Sequence, residues 1–505
     1  MKYLKLISTI TAVLSTFNSQ STKASEAGSQ YRPQFHFSPK KNWMNDPNGL
    51  VYYKGEYHLF FQYNPEGTQW GHMSWGHAVS KDLLHWQELP VAIPEDDKHF
   101  IFSGSAVIDE KNTSGFGTVE NPPMVAIYTS STKGNPMRQT QSIAYSLDAG
   151  RTFTKYANNP VIDSDLEHFR DPKVFWDQKR NRWVMILVKS EERKAIIYSS
   201  TDLKKWNQES EFGPAGTFEG IWECPDLFEL SIDGESKWVL IISVNPGGPY
   251  GGSGAQYFIG DFDGKTFIPT QDPKQVNWLD YGQDNYAAVT YNNTPDNRRI
   301  LIGWMNNWRY ASVLKQTPWT GSMTIPHELS LIKHEGIIKL VHTPIKELVK
   351  LRSKKILSYS KINIFGELPL KKLNGNQLEI SFTLTPGKSR KAGIKVLQSN
   401  DEVTEIGYDK GQQAVYVDRS ATSLTETNAE LGGVQNFPTE LINGKITLRI
   451  IIDRSSVEVF VNGGQGVISD LAMPDNKKSV STSLFAIGGQ ATISNFEAFT
   501  LKSAR

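Results

Sequence analysis

Three short segments of this 505-residue chain each set a carboxylate close to a proline: Trp43-Met44-Asn45-Asp46-Pro47-Asn48-Gly49, Arg170-Asp171-Pro172 and Trp222-Glu223-Cys224-Pro225-Asp226. Proline disfavours helical geometry in the residue before it, so Asp46 and Asp171 are restricted to turn or extended backbone. After the first acid, Asn48-Gly49 supplies turn chemistry and Leu50-Val51-Tyr52-Tyr53 begins an apolar, aromatic run, so Asp46 is expected in a rigid turn just ahead of a strand. Carboxylates held this way are equipped for nucleophilic and acid–base work. A lone Asn-Asp-Pro-Asn-Gly is more often a β-turn whose Asp caps its own backbone. Recurrence of the arrangement at Asp171 and Glu223 turns the reading from a turn towards a site.

Residues so distant in sequence need a scaffold that gathers them, and the chain carries a repeat suited to that. Ser80-Lys81-Asp82-Leu83-Leu84-His85-Trp86, Ser146-Leu147-Asp148-Ala149-Gly150-Arg151-Thr152-Phe153, Ser200-Thr201-Asp202-Leu203-Lys204-Lys205-Trp206 and Asp261-Phe262-Asp263-Gly264-Lys265-Thr266-Phe267 share an Asp followed by an aromatic residue. Their Asp positions, 82, 148, 202 and 263, lie 66, 54 and 61 residues apart. A period of that size, filled with short strands and polar turns, is what propeller blades give. A fifth unit, from about Asp284 to Leu331, lacks the Asp-aromatic turn but keeps the strand pattern, so five blades are expected over residues 31–340. Asp46, Ser103, Asp171, Glu223 and Asp284 fall near the starts of these units, where first strands line a central channel. The basic stretch 346–372 reads as a linker. Beyond it, over residues 373–505, segments such as Leu378 to Leu384, Ile446 to Ile452 and Val457 to Val461 predict a β-sandwich. The fold class expected is therefore all-β.

Composition limits the partners. Lys and Arg number 54 against 53 acids, a net charge of +1, which argues against nucleic acid or an electrostatically held membrane surface. The 13 Trp and 19 Tyr suit flat sugar rings, although core packing accounts for most of them. Lys2 and Lys5, an apolar stretch from Leu6 to Phe17 and then small and polar residues predict a signal peptide over residues 1–27 and a secreted product. Its apolar core is too short to span a bilayer, and nothing later is long enough, so no membrane insertion is expected. Cys224, the only cysteine, reads as a buried filler without a redox role. Ten histidines form no ligand cluster, and Gly247 to Gly254 lacks the Lys-Ser or Lys-Thr of a phosphate loop, so neither metal nor cofactor is expected.

With Phe61-Gln62-Tyr63-Asn64-Pro65 and Phe102-Ser103-Gly104-Ser105 between them in the right order, the acidic segments resemble glycoside hydrolase family 32, the invertases, levanases and exo-inulinases. The resemblance runs from about residue 31 to the C-terminus and has no departure at the three acids. It implies a secreted, retaining exo-β-fructosidase that removes terminal fructose from levan, inulin or sucrose. In that reading Asp46 is the nucleophile, Glu223 the general acid/base and Asp171 the stabiliser of the transition state, with Arg170 keeping Asp171 ionised and bonding the acid/base or the sugar. The resemblance further implies that Asn45, Gln62, Trp70 and Ser103 line the terminal fructosyl pocket, with Trp43 and Phe102 as apolar walls. Trp304 and Trp308 either face the sugar or only pack. A fructosyltransferase would use the same covalent intermediate, and a sugar-binding propeller without activity is the reading from another class. Trp43 ahead of Asn45-Asp46 resembles the hydrolytic members. The sequence leaves the ranking of the three substrates and the oligomeric state open.

Overall fold

The computed structural model describes residues 30–314, 318–334, 336–422 and 429–505, so the expected signal peptide lies outside the described residues. Its first part is a ring of five β-sheets, each with four antiparallel strands in chain order, the first sheet carrying a short parallel fifth strand. The leading strands are Asn42–Tyr53, His99–Ile108, Phe169–Asp177, Ile221–Ile232 and Tyr286–Thr290. Each touches the leading strands of its two neighbours, so together they surround one axis as the inner strands of five propeller blades. Middle strands such as Met124–Thr132 and Arg182–Lys189 read as nearly continuous apolar runs because both faces are buried between blades. One such inter-blade core joins Val107, Val125 and Ile127 of blade 2 to Val174, Met185 and Ile196 of blade 3. The ring closes where Trp319 and Thr320 run parallel to Asn42 and Trp43 beside blade 1.

The repeated Asp sits at the turn between the third and fourth strands of blades 1 to 4. There its carboxylate accepts main-chain N–H groups, at 2.9 Å from His85 to Asp82, 2.9 Å from Thr152 to Asp148, 2.8 Å from Lys205 to Asp202 and 2.7 Å from Thr266 to Asp263. The periodicity is thus a side-chain cap that ends one strand and starts the next.

Midway along the channel a polar plug crosses the axis. The Asn292 side-chain amide donates to Ala106 O and Val174 O, both at 2.9 Å, while its main-chain N–H donates to Leu50 O. Beside it, Lys173 Nζ donates to Asp226 Oδ2 at 3.1 Å and to Thr290 O. All five blades contribute to this waist.

Residues 346–372, expected as a linker, are instead a short 3-10 turn, Lys346–Leu351, and an 18-residue strand, Arg352–Pro369. The strand pairs along its length with the 21-residue strand Ser481–Leu501. Its lysines and serines lie on an exposed edge, the usual defence of such a strand against mispairing, and that composition imitated a connector. Ser481–Leu501 pairs with Lys391–Gln398 early in its course and with Gln377–Thr385 later, so it passes between layers and the sheet folds into a sandwich. Leu378, Ile380, Ile394, Ile406, Ile450 and Val459 fill the space between the layers.

The two parts are joined by buried polar contacts. His36, on the segment entering blade 1, is held between Asp453 at 2.8 Å and Glu458 at 2.9 Å, both from the sandwich. His327 of blade 5 approaches the other oxygen of Glu458 at 3.4 Å.

Candidate active site

Every inner strand breaks register near one end of the channel. Shifts fall between Met44 and Pro47, Ile101 and Gly104, Glu223 and Asp226, and Tyr286 and Val289, and blade 3 does the same around Arg170 to Lys173. Asp171, Cys224 and Ala287 sit at these bulges with φ of 64°, 44° and 53°. A bulge adds a residue and re-aims the side chains around it, here towards the axis. Asp46 accordingly lies inside the bulged strand Asn42–Tyr53, not in a turn ahead of it. The proline after each acid costs no ladder hydrogen bond at an irregular position, which is why acid and proline can sit together within a strand.

The bulges bring Asp46, Asp171 and Glu223 into one network. Ser103 Oγ donates to Asp46 Oδ2 at 2.6 Å and Asn45 Nδ2 to Asp46 Oδ1 at 3.0 Å. Trp43 Nε1 donates to Asn45 Oδ1 at 2.9 Å and so orients that amide. Cys224 Sγ lies 3.5 Å from Asp46 Oδ2 and 3.6 Å from Asp171 Oδ2, and the Cys224 N–H donates to Asp171 Oδ2 at 2.9 Å. The filler cysteine is therefore a bridge between two of the acids. Arg170 reaches the third: its Nε and Nη2 donate to Glu223 Oε1 at 3.2 and 3.1 Å, with Nε 3.9 Å from Asp171 Oδ2. Gln139 Oε1 accepts from Arg170 Nη1 at 3.3 Å, fixing the guanidinium from blade 2.

Sequence reasoning placed Asp284 in the channel, but its carboxylate turns away to Arg419 of the sandwich at 2.8 Å. Tyr286, two residues on, takes the place, and its hydroxyl donates to Glu223 Oε2. No motif marked Tyr286, because its direction depends on the bulge at Ala287.

Aromatic rings wall the acids. Trp43, Tyr286, Trp304 and Cys224 form a buried cluster, with Phe100, Phe102 and Trp308 packed against it. Trp43 stacks on Trp308 at 5.8 Å between ring centres, and Trp304 meets Trp308 at 4.9 Å. Trp70, 45% exposed, stands at the rim and turns towards Phe102 at 6.1 Å. Gln62 is buried and donates to Ile101 O at 3.1 Å, next to the bulge that carries Ser103. Among the described residues no group of His, Cys, Asp or Glu is arranged to hold a metal ion.

Burial dominates the electrostatics. It pushes the Asp46 carboxyl above its usual range, against the hydrogen bond from Ser103, and the nearby Glu223 adds to the rise. Asp171 is pushed up to about 7 by burial, with Arg170 opposing and Glu223 and Asp46 reinforcing. Burial works against the charge on Arg170, but Glu223 and Asp171 outweigh it and hold the guanidinium more basic than usual. Asp171 and Glu223 share the one guanidinium of Arg170, which is too little positive charge to offset the burial of Asp171, so its protonated form is favoured towards neutral pH. A carboxylate fixed by Ser103 and Asn45 beside a second carboxyl bonded by Arg170 and Tyr286 is what nucleophilic displacement with acid assistance requires.

The family model described as "Glycosyl hydrolases family 32 N-terminal domain" matches residues 36–344, and that described as "Glycosyl hydrolases family 32 C terminal" matches residues 347–500. The chain is 47% identical over 498 residues to a levanase of Bacillus subtilis (strain 168), covering 96% of this chain and 72% of that protein. It is 42% identical over 496 residues to the extracellular exo-inulinase inuE of Aspergillus ficuum, covering 91% and 92%. A crystal structure of exo-inulinase from Aspergillus awamori superposes with a TM-score of 0.88 at 38% identity, covering 94% of this chain and 99% of that one.

Proposed function

Because the chain belongs to glycosyl hydrolase family 32, we propose that it is a retaining exo-β-fructosidase that cleaves terminal non-reducing β-D-fructofuranosyl residues from levan, inulin and sucrose. The observation that carries this reading is the convergence of Asp46, Asp171 and Glu223, the first two bridged by Cys224 and the last two by Arg170. Asp46 attacks the anomeric carbon while Glu223 protonates the departing oxygen, leaving fructose bound as an ester of Asp46. Water, deprotonated by the now ionised Glu223, then attacks the same carbon from the face the leaving group left, so configuration is retained. Arg170 and Tyr286 are placed to stabilise the charge that appears on Glu223 after it gives up its proton. Asp171 accepts hydroxyls of the ring as positive charge develops there. Asn45, Ser103 and Gln62 fix the nucleophile's side of the pocket, with Phe102 and Trp308 as its walls, the fully buried Trp43 and Trp304 packed behind Trp308, and Trp70 at its mouth.

Export is part of the same proposal. It rests on the Lys-flanked apolar start of the chain and on the extracellular name of the similar exo-inulinase. No helix among the described residues is long and apolar enough to cross a membrane.

The test has two parts. On levan, inulin and sucrose the expected product is free fructose, released initially as the β-anomer by NMR; fructosylated acceptors as the main product would mean a transferase. Asp46→Ala should abolish turnover on all substrates. Glu223→Ala should spare an activated aryl fructoside, which needs little protonation, and azide should then yield a fructosyl azide of retained configuration. Equal losses on all substrates without an azide product would remove Glu223 from the acid/base role.

A further inference from the structure

The run of chain that delivers Tyr286 to Glu223 is moulded by the second domain. Residues 280–285 lie along the sandwich strand Gly466–Leu471 almost as an added strand: Tyr281 N–H donates to Val467 O at 2.8 Å and Asp284 N–H to Ser469 O at 3.0 Å. Side chains lock the register in both directions. Gln283 N–H donates to Asp470 Oδ1 at 3.0 Å, Ser469 N–H to Asp280 Oδ1 at 2.9 Å, and Leu471 N–H to Asp284 Oδ2 at 2.7 Å. The approach is close enough that a Cβ on Gly282 would stand 2.1 Å from Ser469 O. Arg419, from the sandwich strand Ala414–Ala421, which does not pair with Gly466–Leu471, is the centre of the lock. Fully buried, it donates to Asp284 Oδ2 at 2.8 Å, to Gln283 Oε1, to the Tyr310 hydroxyl at 3.2 Å and to Leu471 O at 2.6 Å. The Tyr310 hydroxyl donates in turn to Asp284 Oδ1, so both oxygens of Asp284 are taken. Tyr286 is two residues further along the same chain, and its hydroxyl meets Glu223.

We propose that Arg419 of the sandwich is a positioning residue for the reaction, setting the acid/base behaviour of Glu223 through Asp284 and Tyr286. This rests on Glu223 being the acid/base. A guanidinium that satisfies both neighbours of a strand entry leaves that strand one register and one direction, and Tyr286 inherits both. Because the Tyr286 hydroxyl donates to Glu223, it favours the ionised form of that carboxyl over the protonated one; loosening it favours the protonated donor, so the alkaline loss of activity is delayed. The second domain would then be a working part of the site and not an appendage.

A double-mutant cycle tests this in the full chain, reading the pH profile of kcat/KM and the rate ratio between sucrose and an aryl fructoside. Tyr286→Phe should move the alkaline limb to higher pH and lower the rate on sucrose roughly tenfold more than that on the aryl fructoside. Arg419→Met should move the limb the same way by a smaller amount, in kcat more than in KM, and Arg419→Lys should restore part of it. In the double variant the Arg419 substitution should add nothing, since its route is already cut. A shift arising from the lost charge acting through space would persist in the double variant, and such additivity would overturn the proposal. So would a limb shift in Ile394→Ala, a sandwich-core variant, as large as that in Arg419→Met at equal loss of Tm. If Arg419→Met does not fold, Asp284→Asn enters the same cycle with the same expected and overturning results. Should Tyr286→Phe itself leave the profile in place, the role of Arg419 falls while that of Glu223 stands on the azide experiment.

Discussion

Asp171 and Glu223 share a single guanidinium, with Asp46 joined to them through Cys224, and the surplus of acid over base has a consequence for stability as well as chemistry. The Asp171 carboxyl, held at about 7 in the fold by burial, titrates near 4 in an unfolded chain. Between those values the folded protein binds more protons than the unfolded one, so this group's contribution falls as pH rises through the window. Asp171→Asn removes the buried charge. It should make the protein more stable at pH 8 by roughly 1–3 kcal/mol, with the gain vanishing below about pH 4, while hydrolysis of sucrose collapses. Thermal melts across that range check it; a variant less stable than wild type at pH 8 would mean that the site holds Asp171 ionised without strain. The three acids were legible in the sequence because each stands within two residues of a proline, a local signal. Tyr286 was not, since nothing within its own neighbourhood distinguishes it from a core tyrosine. Asp284 misled for the same reason: its position in the repeat was read correctly, but its partner, Arg419, lies in the other domain.

The bulges are the elements on which these side chains depend. At Gly104 the bulge of blade 2 packs so closely on the next strand that an added Cβ would stand 2.0 Å from Ile127 O. Gly104→Ala must therefore push the two strands apart, at a cost of roughly 2–4 kcal/mol. Ser103, whose hydroxyl bonds Asp46, moves with the bulge, so kcat/KM should fall by more than stability alone explains. Comparing activity well below Tm with that of an outer-strand variant of equal stability separates the two effects. Bulges of this kind escape a sequence reading because alternation still predicts a strand on either side; only the Asp-aromatic turn, repeated in four of the blades, gave the architecture away. Arg352–Pro369 escaped because its polarity belongs to an edge, and edges resemble linkers in composition.

At the scale of the whole molecule, His36 ties the entry of the propeller to the sandwich. Burial alone would strip its proton, but the hydrogen bonds to Asp453 and Glu458 outweigh that and push His36 up to about 9, while Glu458 is drawn down to about 2. The raised histidine contributes fully below its unfolded value near 6.5 and is lost as pH climbs through about 9; the depressed Glu458 contributes above about 4.5 and is lost as pH falls through about 2. His36→Gln should thus cost about 3–5 kcal/mol at pH 6 and much less at pH 9.5, read from chemical denaturation at both. A cost independent of pH would mean a neutral His36. The plug at Asn292 reaches further, into how a polymer is consumed. A channel stopped at its waist is a cul-de-sac: only the tip of a chain enters, and the sugar cut from that tip lies behind the remainder. Each fructose can escape only after the shortened chain has stepped aside, so degradation should be distributive, with the whole population of chains shrinking together. Fructose should inhibit in pure competition with sucrose, because arrivals and departures share one door; long chains digested to completion beside untouched ones would require an exit that Asn292 closes.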